Sequence, residues 1–123
     1  MKKLCFALML IGCLVACKKQ ETEPPVVTLF SPTAADTLFV NDSVKIHFSI
    51  SDKNLRSYKI IISNFFNKKI YYKEEGAVSG NDFSVDKKVF FEIKADTSAY
   101  LNVLGIDENG NTGGAGSRFE IKK

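Results

Sequence analysis

Several features of catalytic or cross-linked proteins are missing from most of this 123-residue sequence. Its three cysteines, Cys5, Cys13 and Cys17, precede residue 18, so no disulfide can join segments of the remaining chain. The single histidine, His47, has polar neighbours at alternate positions, and there is no Ser-His or Cys-His pair for nucleophilic catalysis. We therefore predict a body held by apolar packing, with no catalytic residues, no metal site and no cofactor.

An excess of charge of one sign is also missing. The formal net charge of +3 comes from 17 Lys and Arg against 14 Asp and Glu, and two of the lysines, Lys2 and Lys3, open the chain. The other basic residues are scattered, with acidic residues between them. Because a nucleic-acid backbone is bound by a dense basic stripe, we predict no nucleic-acid partner.

The first sixteen residues have the pattern of a signal peptide. Lys2 and Lys3 are followed by an apolar run over residues 4–15, which is the length of a signal h-region. A transmembrane helix needs about twenty apolar residues, so this run is too short to span a bilayer. We predict that residues 1–16 are a signal peptide.

The segment Leu14-Val15-Ala16-Cys17 resembles a bacterial lipobox. The resemblance implies that Cys17 carries lipid after cleavage and holds the protein at the outer membrane, on its periplasmic face or at the cell surface. Two or three acyl chains anchor a protein stably, whereas one does not. Residues 17–25 are polar and end in two prolines, which predicts an extended tether. An ordinary secretory leader with a chance cysteine, or a short membrane anchor, is the alternative.

From residue 26 onward apolar and polar residues alternate with period two, which is typical of half-buried strands. The clearest strand, residues 43–50, places Val44, Ile46, Phe48 and Ile50 on one face. The other predicted strands are 26–30, 38–40, 55–62, 70–73, 83–85, 89–93, 99–106 and one through Phe119 and Ile121. These nine segments, of which the short 70–73 and 83–85 are edge pieces, amount to about seven or eight strands over residues 26–123. They predict an all-β fold, an immunoglobulin-like two-sheet β-sandwich.

A turn before the last strand contains Asp107, Asn109, Gly110 and Asn111. Asn-Gly favours left-handed backbone in a tight hairpin, and the Asp107 carboxylate can accept amide hydrogens of the same loop. Asp107, Asn109 and Asn111 also have the spacing of the first oxygen ligands in an EF-hand calcium loop. The EF-hand interpretation fails, because Thr112 and Arg118 stand where that loop needs Gly and Glu. We interpret these residues as a structural turn, and the Gly-Gly-Ala-Gly run at 113–116 as a loop or bulge.

The same stretch resembles the D-x-x-G-N signature that closes many bacterial immunoglobulin-like domains. With the lipobox and the segment 52–60, the sequence is similar over nearly its whole length to a family of Bacteroidota lipoproteins. Members of that family carry one such domain of unknown function. The resemblance implies an exported sandwich and names no ligand.

Four aromatic residues, Phe65, Phe66, Tyr71 and Tyr72, form the candidate binding patch. Alternation in a hairpin at a sheet edge buries only about half of such a cluster, so part of it can stack on sugar rings or pack against a protein. Core filling is the other interpretation. The adjacent Glu74 and Glu75 are predicted in a polar loop with opposed side chains, which does not suit acid-base catalysis.

The leading hypothesis for function is a non-catalytic, membrane-tethered binding module of the cell envelope. It would act in adhesion, glycan capture or envelope assembly, with the membrane, a glycan or an envelope protein as partner. The alternatives are an accessory subunit of an envelope enzyme or uptake complex, and a structural spacer.

Overall fold

A computed structural model describes residues 22–123. The predicted signal peptide and the lipidation site Cys17 lie outside these residues. The described chain contains strands and turns, and no helix in it is long and apolar enough to cross a membrane. The strands are β1 (Val26–Ser31), β2 (Thr37–Phe39), β3 (Val44–Ser51), β4 (Leu55–Asn64), β5 (Ile70–Ala77), β6 (Asp82–Val89), β7 (Thr97–Asp107) and β8 (Thr112–Lys122).

The eight strands form two sheets. One has the order β1-β3-β6 and the other the order β2-β8-β7-β4-β5. Neighbouring strands are antiparallel, except that the short β2 runs parallel to β8. The predicted all-β two-sheet sandwich is confirmed, with eight strands.

The core lies between the two sheets and follows the period-two alternation. On β4 and β7, Ile60 is opposite Val103 and Ile62 is opposite Leu101, and all four are fully buried. Burial of each such side chain contributes roughly 1.5–3 kcal/mol. The remaining buried apolar residues are Val44, Ile46, Phe48, Ile50, Leu55, Val89, Phe91, Ala99, Phe119 and Ile121.

Three strand predictions need correction. The segments predicted at 70–73 and 83–85 are sheet edges, as predicted, but each strand is eight residues long. The strand predicted at 89–93 is wrong beyond Val89, because residues 90–96 cross from one sheet to the other without ladder pairing. Phe91 is nevertheless buried and Phe90 exposed. An extended segment with one buried side shows the same alternation of apolar and polar residues whether or not it pairs with a neighbouring strand.

The loop or bulge predicted at 113–116 is also wrong, because these residues lie inside β8. The glycines are needed for close approach to their neighbours. A methyl group at Gly113 would overlap the Pro25 carbonyl, and one at Gly116 would overlap the Tyr100 ring. The sequence predicted a loop here because the residues that pack over these glycines, Pro25 and Tyr100, are distant in sequence.

Pro25 belongs to the packed body, although the sequence places it in the tether. It is buried, whereas residues 22–24 are exposed. Its ring approaches Gly105 and its carbonyl lies over Gly113. The extended segment therefore ends at Pro24.

The connections between strands lie at two opposite ends of the sandwich. The N-terminal end contains Pro25 and the turns 52–54, 78–81 and 108–111, which hydrogen bonds tie together. The distal end contains the β4–β5 turn at 65–69 and the crossing segment 90–96. The longest strands between the ends, β7 and β8, each have 11 residues, which corresponds to about 35 Å.

Candidate functional site

Asn64 organises the turn at the distal end. Its side-chain oxygen accepts hydrogen bonds from the backbone N–H groups of Phe66 (2.8 Å) and Asn67 (3.0 Å). Its side-chain NH₂ donates to Tyr71 Oη (2.7 Å) and Thr97 Oγ1 (2.9 Å). Asn64 is only 7% exposed, so these four bonds are partly shielded from water and fix the turn. This turn-organising role of Asn64 was not predicted from the sequence. An Asn directly before a turn is the signal that could have indicated it, because its side chain can accept backbone N–H groups of that turn.

Phe65, Phe66, Lys68 and Arg118 form a cluster that we name the aromatic corner. The two phenylalanine rings meet edge to face, with centroids 5.4 Å apart. The Arg118 guanidinium lies 4.1 Å from the Phe65 centroid and 5.5 Å from that of Phe66, and Lys68 Nζ lies 5.1 Å from that of Phe65. These are cation–π distances, and they hold the rings at defined positions.

The Arg118 side chain is fixed by polar partners on the outer face of the larger sheet. It donates to Ser98 Oγ at 3.0 Å and lies 3.5 Å from Glu120 Oε1, which also accepts a hydrogen bond from Ser98. A guanidinium held in this way loses little side-chain freedom when a ligand contacts it.

The aromatic corner continues into a row of residues across β5, β4, β7 and β8. Ile70 is opposite Ser63, Ser63 is opposite Tyr100, and Tyr100 is opposite Arg118. Phe66 is 67% exposed and Ile70 55% exposed. Ile70 and Arg118 stand at opposite ends of this row, and Phe66 lies at the Arg118 end. The sequence did not predict the roles of Ile70, Tyr100 and Arg118, because their alignment in one row depends on strand register.

The four predicted patch residues do not form one surface. Phe65 and Phe66 lie in the aromatic corner, whereas Tyr71 and Tyr72 are half-buried and pack against the core. A bulge explains why two consecutive tyrosines face inward: Ile62 pairs with Tyr72 and Ser63 with Ile70, so Tyr71 is the extra residue. Its ring stacks on Phe91 at 5.6 Å between centroids, with 1° between planes.

Beside the turn, a cleft of about 550 Å³ opens at the distal end, and we name it the distal cleft. Asn64, Asn67, Lys69 and Tyr71 line one side, and residues 92–97 line the other. The cleft therefore lies between the β4–β5 turn and the segment that crosses between the sheets.

A second polar cluster closes the edge of the sandwich between β5 and β6. Glu74 faces inward and accepts hydrogen bonds from Tyr58 and Tyr72, both at 3.1 Å, and from Lys87. The bond from Lys87 is the largest influence on Glu74 and lowers the pKa of its carboxyl. Burial opposes the charge on Lys87, but Glu74 outweighs it and raises the Lys87 pKa.

Glu75, next to Glu74, faces the opposite way. Its carboxylate lies 3.3 Å from Lys59 Nζ and 3.2 Å from Lys73 Nζ on the outer face. The two glutamates lie on strand β5, so the predicted loop is wrong, while their predicted opposite orientation is confirmed. Neither arrangement places two carboxylates around a shared substrate.

At the N-terminal end, Asp107 organises the hairpin that joins β7 and β8. Its carboxylate accepts hydrogen bonds from the N–H groups of Asn109 (2.9 Å) and Asn111 (2.8 Å) and from the Asn111 side chain (2.9 Å). Gly110 has φ +83°, the left-handed conformation that glycine tolerates. Burial opposes ionisation of Asp107, but the bonds from Asn111 and Asn109 outweigh it and hold its pKa below the usual range.

His47 is half-covered, because the Phe30 ring lies 4.7 Å from it on the outer face of the smaller sheet. Within residues 22–123, no three His, Cys, Asp or Glu side chains are grouped closely enough to hold a metal ion.

Solved structures resemble this fold at low sequence identity. The fibronectin(III)-like modules of CbhA from Clostridium thermocellum are 12% identical, with a TM-score of 0.52 over 80% of this chain and 47% of that one. A β-glucosidase from Listeria innocua in complex with glucose is 9% identical, with a TM-score of 0.50 over 80% and 16%. CopC from Methylosinus trichosporium OB3b is 15% identical, with a TM-score of 0.46 over 79% and 94%.

No protein-family model matches the sequence, and no curated protein matches it significantly. The chain spans about half of the CbhA structure and a small part of the β-glucosidase. At these identities the comparisons bear on the fold alone. The chain is an immunoglobulin-like β-sandwich.

Proposed function

We propose that the chain is a lipid-anchored, non-catalytic binding module of the bacterial cell envelope, which contacts its partner through the aromatic corner and Ile70. One observation carries this proposal. Phe66 and Ile70 are large apolar side chains that are more than half exposed. The Phe66 ring centroid lies 5.5 Å from the Arg118 guanidinium, and Ile70 lies on the same outer face, three strands away on β5. Exposed aromatic residues beside arginine are enriched in protein interfaces and at their energetic centres.

The direction of the domain supports the same role. With the lipid at Cys17 and the tether entering at Pro25, the N-terminal end of the sandwich faces the membrane. The aromatic corner then lies about 35 Å further from the bilayer, at the end of the longest strands. A contact surface in that position meets molecules outside the anchoring membrane.

The test uses the full chain, reconstituted in detergent, and measures how much solubilised envelope glycan and protein from the producing bacterium it retains. We expect Phe66→Ser to lower retention by about tenfold, the effect of removing an aromatic anchor. Its melting temperature should not change, because the ring is mainly in solvent. The matched control is Val26→Ser, which removes a side chain that is 64% exposed at the N-terminal end.

Equal retention by Phe66→Ser and the unmodified chain would overturn the proposal and favour a structural spacer. Equal loss in both variants would show nonspecific adhesion of exposed apolar side chains, which would also overturn it.

A further inference from the structure

The distal cleft contains two hydroxyl groups whose protons are available to a ligand. Tyr71 Oη and Thr97 Oγ1 each accept a hydrogen bond from the Asn64 side chain. Neither hydroxyl donates a hydrogen bond to any of residues 22–123. Asn64 supplies both of its N–H groups to these two oxygens. Each hydroxyl proton is left to donate to a ligand or to water.

The charged groups around the cleft balance. Lys69 and Lys94 line it together with Glu92 and Asp96, which gives two positive and two negative side chains. One Asp96 oxygen accepts the Lys123 N–H at 2.7 Å, and the other is available as an acceptor. A site for a phosphate or sulfate would carry an excess of positive charge, so this lining favours an uncharged ligand with many hydrogen-bonding groups.

The apolar part of the cleft is small and rigid. Tyr71 cannot rotate freely, because its ring stacks on Phe91 and its hydroxyl is bound to Asn64. Ile93 lines the opposite side. The cleft volume lies within the range of small-molecule sites, which combine an apolar surface with a few placed polar groups.

We propose that the distal cleft binds an uncharged sugar residue of a glycan, with Tyr71 and Thr97 donating to its hydroxyls and Lys69 and Asp96 completing the polar contacts. This inference rests on the proposed role as a binding module, and it adds a second site at the same end of the sandwich together with the class of ligand that this site takes. A sugar ring matches the lining because it is neutral, carries donors and acceptors around its rim, and has apolar faces.

The experiment titrates the full chain in detergent with glucose, galactose, mannose and N-acetylglucosamine, and follows the amide resonances of Ala95 and Thr97. At least one sugar should shift these resonances saturably. Thr97→Val should weaken that binding by about fivefold, because one ligand hydrogen bond is lost, and Thr97→Ser should restore it. Thr28→Val, at an exposed position of β1 in the smaller sheet, is the matched control and should bind normally.

Lys69→Met is a second variant, because Lys69 is exposed and its removal leaves the turn bonds of Asn64 intact. It should also weaken sugar binding if Thr97→Val proves unstable. Preference for glucuronate or a sulfated sugar would contradict the charge argument and overturn the inference. The same applies if no sugar shifts the two resonances. If Phe66→Ser still lowers envelope retention in that case, the proposed function stands without this ligand.

Discussion

At the scale of single residues, one side chain that faces inward at an edge can link the two sheets. Glu74 comes from β5, the edge of the larger sheet, and Lys87 from β6, the edge of the smaller one. Tyr58 and Tyr72 donate the other two hydrogen bonds to the carboxylate. The Glu74 side chain is 26% exposed, so its bonds are partly shielded from solvent. We therefore expect this cluster to stabilise the open edge.

Glu74→Gln should reduce the free energy of unfolding at pH 7 by about 1–2 kcal/mol, because charge-assisted hydrogen bonds are lost. The folded-state pKa of Glu74 is lowered, so its contribution is present above the ordinary pKa and disappears as pH falls through the folded-state pKa. The difference between variant and unmodified chain should shrink in acid. Urea unfolding at pH 7 and pH 3 measures it.

Glu75→Gln is the matched control for this prediction. Glu75 is exposed and its partners Lys59 and Lys73 are on the surface, so its replacement should have little effect. If the two substitutions had equal effects, the inward cluster would not be what stabilises the edge.

At the scale of elements, β8 shows how a strand depends on residues far away in sequence. Its first half consists mainly of glycine and alanine and leaves space that Pro25, Leu104 and Tyr100 occupy. A methyl group at Gly113 would overlap the Pro25 carbonyl, whereas one at Gly114 would meet the flexible end of Leu104 and, at 3.2 Å, the Val103 carbonyl. The two positions should therefore differ in their tolerance of a side chain.

Gly113→Ala should lower the free energy of unfolding by about 1–3 kcal/mol, the usual effect of overpacking. Gly114→Ala should be better tolerated, because the Leu104 side chain can move. Thermal and urea unfolding of the two variants make the comparison. If both were neutral, residues 113–116 would behave as a loop in solution.

Most strands could be predicted from the sequence, because the alternation of apolar and polar residues is visible within one segment and needs no knowledge of the strand that pairs with it. It could not predict features that depend on pairing. The bulge at Tyr71, the crossing at 90–96 and the glycine strand each require knowledge of the opposite strand. For the same reason the sequence identified Phe65 and Phe66 but not Arg118, which comes from β8. The distal cleft needed the positions of two separate connections.

At the scale of the whole molecule, the point of chain entry and the candidate sites lie at opposite ends of the sandwich. The segment that precedes Pro25 enters at one end of the sandwich, and the aromatic corner and the distal cleft share the other. Attachment to a membrane through the N-terminus would therefore turn the aromatic corner and the distal cleft away from that membrane.

Cys17→Ala should abolish membrane association and leave the precursor uncleaved, because the lipobox resemblance implies that the lipid is added to that thiol. Membrane fractionation and intact mass in the native host measure both effects. Cys13→Ala, in the apolar run, is the matched control and should be processed normally. A normal membrane yield of Cys17→Ala would contradict lipid attachment at this residue.

The position of Lys123 has a practical consequence. Its backbone N–H donates to Asp96, a residue of the distal cleft, so the carboxyl end of β8 leaves the domain beside that cleft. A purification tag or fluorescent fusion joined after Lys123 would crowd the surface where binding is to be measured. Immobilisation through the residues before Pro25 leaves the same surface free, and it reproduces the direction in which a lipid would present the domain.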